Sequence, residues 1–186
     1  MVVLLVLASL AEVLGFSFAT AMPEIAIDRL DVDSSGLGAM HSMRAVGGLA
    51  RAVVLSLLTI KHIGSLFTLV LMGFGIAICY LSVATQMNQV LVAVCVIAFF
   101  ASSTDILVQS MMQICLPAAM RGRAMGAWVF ALGMGPVGHL ELGLLMAVAG
   151  TTAALATNGA LLVLTGLLSY WFLPELRNLK NTLQNT

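Results

Sequence analysis

The sequence predicts an all-α membrane protein with six transmembrane helices, and three observations support that fold class. Of the 186 residues, 61% are hydrophobic and only 9% are charged, whereas a soluble domain has about 25% charged residues. Long apolar runs alternate with short polar or Pro/Gly-containing segments. In a bilayer, the backbone polar groups of such runs must be satisfied within the segment, as they are in a helix. The formal net charge is zero, so the composition does not indicate a nucleic-acid partner.

Six runs are long enough to cross a membrane, because a spanning helix needs about 20 mainly apolar residues. The first run contains Glu12 and lacks a basic start, so we interpret it as a retained helix rather than a signal peptide. Residues 23–35 form the one long polar loop, and the other connections are short. We predict one transmembrane domain over residues 1–186, with a cytoplasmic tail at 174–186 and helices at 2–22, 36–60, 63–83, 89–113, 123–148 and 152–173.

Basic residues predict how the helices are oriented, because cytoplasmic loops are enriched in lysine and arginine. Arg29 is the one basic residue of the predicted outer loop, where acidic residues surround it. Arg121 and Arg123 are expected to lie in a turn between the fourth and fifth helices and to anchor that turn at the headgroups. Both termini are therefore predicted to be cytoplasmic, on the side that holds Lys61, Arg121, Arg123, Arg177 and Lys180.

Polar residues inside the predicted spans are candidates for function, since such residues usually face a protein interior or a water-filled cavity. The third and sixth helices have no charged residue, which favours two three-helix units whose third members face lipid. From helix depth we predict two ion pairs, Arg44–Glu141 and Arg51–Asp105, with either a structural or a functional role. The polar candidates are Glu12, His41, Arg44, Arg51, Asp105, Gln109, Gln113, His139 and Glu141.

The fifth predicted helix contains Pro136 and several glycines. Proline removes a backbone hydrogen bond, so Pro136 is expected to kink this helix. Glycines allow neighbouring helices to approach closely. The segment is therefore either a tightly packed contact or a moving element of the protein.

Two segments carry a family likeness. Residues 11–50 read AEVLGFSFATAMPEIAIDRLDVDSSGLGAMHSMRAVGGLA, and residues 108–143 read VQSMMQICLPAAMRGRAMGAWVFALGMGPVGHLELG. The first segment resembles the seventh and eighth helices of a major facilitator superfamily transporter, and the second resembles the tenth and eleventh. The likeness is to the bacterial branch that includes enterobactin and macrolide exporters, and LPELRNL at 173–179 resembles the terminal tail of that branch.

The resemblance implies the C-terminal six-helix half of a major facilitator fold, built as two three-helix inverted repeats. It implies an efflux-type, proton-coupled secondary transporter of a small molecule in the bacterial inner membrane. Its partners would be lipid, the substrate, and an N-terminal six-helix half (fused or separate) or a second copy. The resemblance places Glu12, Asp105 and Gln109 along the substrate cavity. Residues near the interface between the halves would be Arg44, Arg51, His139 and Glu141.

Two other classes of protein compete with a complete transporter. Six-helix intramembrane proteases need a serine in a glycine-rich motif and a histidine on the last helix, and phosphatidyltransferases need spaced aspartates after Asp-Gly. The sequence has neither pattern, so we do not expect an enzyme. The three cysteines lack metal-ligand spacing, and no cofactor is expected. A truncated or remnant protein with a scaffold role, or without transport activity of its own, stays open because one half supplies only one wall of a cavity.

Overall fold

The computed structural model describes residues 2–57, 62–177 and 179. The described residues contain helices and no β-strand, which confirms the predicted all-α class. Lys61 and Lys180, two of the predicted topology residues, lie outside the described residues. In chain order the elements are α1 (Val2–Arg29), α2 (Ser34–Leu57), α3 (Ile63–Val83), α4 (Met87–Cys115), α5 (Ala118–Leu132), α6 (Gly135–Phe172) and α7 (Pro174–Arg177).

The membrane-spanning potential of these elements is uneven. Within the described residues, α2 is the one long helix that does not qualify as a span by length and hydropathy, and it carries Arg44 and Arg51. The predicted count of six spans, the inverted repeats and the cytoplasmic termini therefore stay predictions. The stretches that are long and apolar enough to cross a membrane are Val2–Arg29, Ile63–Val83, Met87–Cys115 and Ala119–Phe172.

A non-helical residue divides α6 into two halves. Gly150 has φ 81° and ψ 160°, a conformation that glycine adopts without a steric penalty. Glu141 and Asn158, on either side of it, are 17 residues apart in sequence yet hydrogen-bonded at 3.0 Å. A continuous helix would separate them by about 25 Å, at 1.5 Å per residue. The chain therefore folds back at Gly150, inside the turn that the sequence predicts at 150–152.

The first helix is longer than predicted. The sequence predicts its end at residue 22 and a loop over 23–35, but α1 continues to Arg29. Ile25 and Ala26 are each only 1% exposed, and the Thr151 hydroxyl donates a hydrogen bond to the Glu24 carboxylate. These contacts with the rest of the chain hold a polar stretch in helical form that its own sequence assigns to a loop.

The two arginines of the predicted cytoplasmic turn lie in a helix instead. Arg121 and Arg123 are exposed residues of α5, and the turn before them is at Leu116 and Pro117. Pro117 has an extended backbone, with φ −61° and ψ 152°, and it immediately precedes α5. Proline is well suited to such a helix boundary because it has no N–H to donate. The Nε of Arg121 donates to the Leu116 carbonyl oxygen at 3.3 Å.

A two-residue turn interrupts the helix just before Pro136, where the sequence predicts a kink. α5 ends at Leu132, Gly133 and Met134 form a turn, and α6 begins at Gly135. Pro136 occupies the first turn of α6, where a missing N–H leaves no hydrogen bond unmade. The predicted helix 123–148 therefore consists of two pieces, separated two to three residues before the proline by Gly133 and Met134, which keep helical backbone angles.

α3 packs at the centre of the chain against α4 and α6. A Cβ on Gly75 would lie 2.6 Å from the Gly159 carbonyl oxygen, so α3 and the second half of α6 touch through their backbones. The prediction that the third helix faces lipid therefore stays a prediction, and it concerns only the exposed side of this helix. The opposite side is in the protein core, while the exposed side carries Leu69, Ile76, Tyr80 and Val83.

α1 departs from regular α-helical geometry where it meets α6. Ala11–Gly15 and Ile25–Arg29 form wider π-helical turns, and Phe16–Ala21 forms tighter 3₁₀ turns. A Cβ on Gly138 would lie 2.6 Å from the Val13 carbonyl oxygen, so α6 rests directly on this irregular backbone. Such interruptions are frequent at functional sites, and this one carries several of the polar residues described below.

Candidate functional site

Three ionisable side chains from three helices lie near one another. They are Glu12 on α1, Arg51 on α2 and Asp105 on α4, and each is half-buried. Asp105 interacts electrostatically with both Glu12 and Arg51. Among the described residues, Arg51 and Asp105 do not form a direct ion pair within 4.0 Å, and the buried Nε of Arg51 has no hydrogen-bond partner. The two residues predicted to pair are therefore neighbours in the structure, without direct contact.

Glu12 extends from α1 towards the start of α6. A Cβ on Gly135 would lie 3.1 Å from the Oε1 atom of Glu12, so the missing side chain leaves room for this carboxylate. Gln109 lies one helical turn after Asp105 on α4 and is also half-buried. Residues four apart share a helix face, so Asp105 and Gln109 extend one polar stripe. This arrangement joins a carboxylate of α1 to a polar stripe of α4.

Glu141 forms its contacts inside the chain and not with Arg44. Its Oε2 atom accepts a hydrogen bond from Asn158 Nδ2 at 3.0 Å, and Asn158 Nδ2 is also 3.5 Å from Ser17 Oγ. Asn158 and Ser17 are each 1% exposed. The predicted Arg44–Glu141 ion pair does not form among the described residues, because depth in the membrane does not determine which way a side chain points around its helix.

His139 connects α6 to α1. Its Nδ1 atom lies 2.7 Å from Thr20 Oγ1, and the tautomer of the ring determines which of the two atoms donates. His139 therefore links α6 to α1, whereas Glu141 links the two halves of α6. The resemblance predicts that both residues lie near an interface between halves, which stays a prediction, and the hydrogen bonds that they form lie within this chain.

Arg44 borders a cavity formed by α1, α2 and α4. The cavity has a volume of about 330 Å³. The Arg44 guanidinium lies over the ring of Phe18, with its Cζ atom 5.7 Å from the ring centroid. The cavity is lined by Phe16, Phe18, His41, Arg44, Ala45, Ala98, Ala101 and Ser102.

Arg29 has a structural role that sequence analysis missed. Its Nη1 atom donates to the carbonyl oxygens of Leu81, Ser82 and Ala84 at 3.1–3.3 Å, and its Nη2 atom donates to Thr152 Oγ1 at 2.9 Å. The last carbonyl groups of a helix lack partners within the helix and carry partial negative charge. Arg29 therefore caps α3 and ties it to α1 and α6. One feature of the sequence could have indicated this role, namely that Arg29 is the single basic residue of an acidic segment.

No metal centre is evident in the part of the chain that the structure describes. Residues 2–57, 62–177 and 179 contain no group of three or more His, Cys, Asp or Glu side chains that could hold a metal ion.

Comparison with known proteins gives a match in structure and none in sequence. No family model matches the sequence, and no curated protein matches it. The fold is similar to the in meso crystal structure of the POT family transporter PepTSo, with a TM-score of 0.74 and 13% sequence identity. The POT family belongs to the major facilitator superfamily. At this level of identity, the likeness shows the fold alone.

The match covers 95% of this chain but only 37% of the PepTSo chain. The protein described here therefore spans just over a third of the length of that transporter. The all-α class is confirmed, and the six membrane-spanning helices and their inverted repeats stay predictions. The narrower predictions, namely the exporter branch and the C-terminal half, stay predictions.

Proposed function

We propose that this chain is the C-terminal half of an efflux-type secondary transporter that moves a small molecule across the bacterial inner membrane with proton coupling. One observation carries the proposal: a chain with a transporter fold over 95% of its length brings Glu12 of α1 within electrostatic range of Asp105 of α4. Ionisable residues at membrane depth commonly mark substrate pathways and proton relays.

Proton coupling is assigned to Glu12 and Asp105, with Gln109 beside them in the substrate pathway. Both carboxylates are half-buried, so each exchanges a proton through a restricted opening. Arg51 interacts electrostatically with Asp105 and supplies a compensating positive charge when that carboxyl group is ionised. The structural neighbour belongs to the proton-coupled oligopeptide transporters, which is in keeping with this assignment.

The substrate cavity needs a second wall. In alternating access, one repeat or helix bundle moves against another around the substrate site, so that the site opens to each side of the membrane in turn. The 37% coverage of the neighbour is in keeping with a partial transporter. We assign the second wall to an N-terminal six-helix half, fused or separate, or to a second copy of this chain. The export direction rests on the resemblance of residues 11–50 and 108–143 to exporters.

The test expresses the chain together with a candidate N-terminal six-helix half, or with a second copy of itself, in an efflux-deficient bacterial strain. A panel of cationic, neutral and anionic fluorescent compounds is loaded, and efflux is followed after a pH gradient is imposed. Efflux is expected with the pair and is expected to be lost in Glu12→Gln and Asp105→Asn. The matched control is Asp31→Asn, which changes an exposed carboxylate outside the helices.

Unchanged pH-driven efflux in both carboxylate variants would remove the coupling role of Glu12 and Asp105. If neither an upstream half nor a second copy supports efflux of any compound, the transport proposal fails. The chain would then be a scaffold or a remnant.

A further inference from the structure

A second polar site lies on α2, apart from the Glu12–Asp105 pair. Arg44 comes ten residues after Ser34 in the helix Ser34–Leu57, so it lies about 15 Å from the start of that helix. With α2 placed as the membrane span that the sequence predicts, this depth is close to the middle of a hydrocarbon core about 30 Å thick. The side chain is half-buried and rests on the Phe18 ring. That ring has no acceptor oxygen, so it does not neutralise the guanidinium.

The carboxylates nearest in depth are engaged elsewhere in the chain. Glu141 accepts the hydrogen bond of Asn158, and Asp105 interacts with Arg51. Over residues 2–57, 62–177 and 179, Arg44 forms no ion pair. Arginine inside a membrane pairs with an opposite charge or faces a water-filled cavity. Among the described residues Arg44 has no paired carboxylate, and it borders a cavity that leaves room for an anion.

The space beside Arg44 is suited to a small ligand. Its volume of about 330 Å³ falls within the range of about 300–1,000 Å³ for small-molecule pockets. Three side chains at its border can donate hydrogen bonds, namely those of Arg44, His41 and Ser102. His41 is exposed, so the cavity opens to the surface of the chain. The remaining lining is apolar or aromatic and consists of Phe16, Phe18, Ala45, Ala98 and Ala101.

We propose that this cavity binds the carboxylate of a small organic anion with an apolar body, and that Arg44 is the anchoring residue. A planar guanidinium presents parallel N–H donors that match the two oxygens of a carboxylate. The phenylalanine rings and alanine methyl groups contact the apolar body. This inference rests on the proposed transport function, because it names the substrate class; a cationic substrate would be repelled by Arg44.

The test measures binding to the chain alone, in nanodiscs of uncharged lipid. The probe is 4-fluorobenzoate, observed by ¹⁹F NMR, and its uncharged counterpart is 4-fluorobenzamide. Binding of the benzoate is expected to be about tenfold weaker or more in Arg44→Gln, since a hydrogen bond to a charged group is lost. Arg44→Lys is expected to bind with intermediate affinity. The matched control Arg121→Gln changes an exposed arginine and is expected to bind like the wild type.

A second measurement uses only the wild-type chain and does not depend on how the variants fold. Phenylglyoxal modifies accessible arginines, and the modified positions are identified by mass spectrometry. Benzoate is expected to slow the modification of Arg44 at least severalfold and to leave Arg121 unchanged. Benzamide is expected to protect neither residue.

Three results would overturn the proposal: equal binding of benzoate and benzamide, equal binding by wild type and Arg44→Gln, or no protection of Arg44. Binding is measured here without transport, so the two proposals fail separately. Loss of efflux with intact benzoate binding overturns the transport function, and efflux without benzoate binding overturns only this site.

Discussion

The side-chain amide of Asn158 donates a hydrogen bond to the Glu141 carboxylate at 3.0 Å, across the fold at Gly150. This contact joins the two halves of α6, and the proximity of Asn158 to Ser17 extends it to α1. A buried polar group that loses its partner costs more free energy than a made hydrogen bond contributes. The Asn158 amide should therefore be important for stability as well as for the position of Glu141.

Asn158→Ala is expected to lower the free energy of unfolding by about 1–3 kcal/mol, because it leaves the Glu141 carboxylate without its donor. The measurement is the thermal unfolding midpoint of the purified chain in detergent. The control is Thr157→Ala, which alters an exposed hydroxyl one residue away. Equal unfolding midpoints for the two variants would show that the Asn158–Glu141 hydrogen bond does not stabilise the fold.

Gly75→Ala is expected to destabilise the contact between α3 and α6. The added Cβ would lie 2.6 Å from the Gly159 carbonyl oxygen and 2.7 Å from the Val163 nitrogen, and backbone atoms cannot rotate away. Overpacking of this kind costs about 1–3 kcal/mol. Gly126→Ala is the control, since a Cβ there meets nothing within 4 Å and alanine favours a helix. The free energy of unfolding is therefore expected to be lower for Gly75→Ala than for Gly126→Ala. Equal values for the two variants would contradict the close contact between α3 and α6.

Arg29→Gln is expected to loosen the end of α3. The arginine donates hydrogen bonds to three carbonyl oxygens there, and removal of a charged donor costs about 1.5–3 kcal/mol. Hydrogen exchange of the last amides of α3 should become faster, with a smaller change at the start of that helix. Arg29→Lys keeps the charge but not the planar group, so its exchange rates should be intermediate. Unchanged exchange in Arg29→Gln would exclude the capping role.

Asp33 should make the start of α2 sensitive to low pH. Hydrogen bonds from the Ser35 hydroxyl, and then from the backbone N–H groups of Ser35 and Gly36, lower the pKa of Asp33 below its ordinary value of 3.8. The unfolded chain has a pKa of about 3.9 at this residue, so the contribution of the ionised group to stability is complete above that pH. It is lost as the pH falls through the lower pKa of the folded state.

An NMR titration of the Asp33 carboxyl carbon tests this prediction. Ser35→Ala removes the largest cause of the shift and is expected to raise the pKa towards the ordinary value. Ser34→Ala is the matched control, because it leaves both hydrogen bonds from Ser35 in place. If Ser35→Ala does not change the pKa of Asp33, this hydroxyl does not hold the carboxylate at the start of α2.

Helix positions followed closely from the sequence where apolar runs end in polar residues. α3 occupies Ile63–Val83, and α4 extends two residues beyond each end of the predicted 89–113. Prediction was wrong for the end of α1, where Ile25 and Ala26 are held by burial against distant parts of the chain. The prediction was also wrong for the start of α5, which was expected at residue 123 and lies at Ala118. Pro117 marks the boundary in the sequence, but it does not show whether Arg121 and Arg123 belong to the turn or to the helix.

The contacts of the polar residues in the candidate site were also predicted only in part. The proximity of Arg51 to Asp105 followed from equal depth on two helices. Equal depth also predicted Arg44–Glu141, yet Arg44 lies on Phe18 and Glu141 binds Asn158. The spacing of residues along the sequence gives the depth of a side chain in the membrane. It does not give the rotation of the helix about its axis, which decides towards which neighbour the side chain points.

The sequence by itself determined that this chain is helical and apolar, and it showed where most of its helices start and stop. The physical reason is local: in a bilayer each backbone group must find its partner within its own helix, so composition and spacing suffice. Only the tertiary structure decided which polar side chains meet, where α1 leaves regular geometry, and that Arg44 opens onto a cavity. Those features depend on contacts between residues far apart in the chain, and no local pattern encodes them.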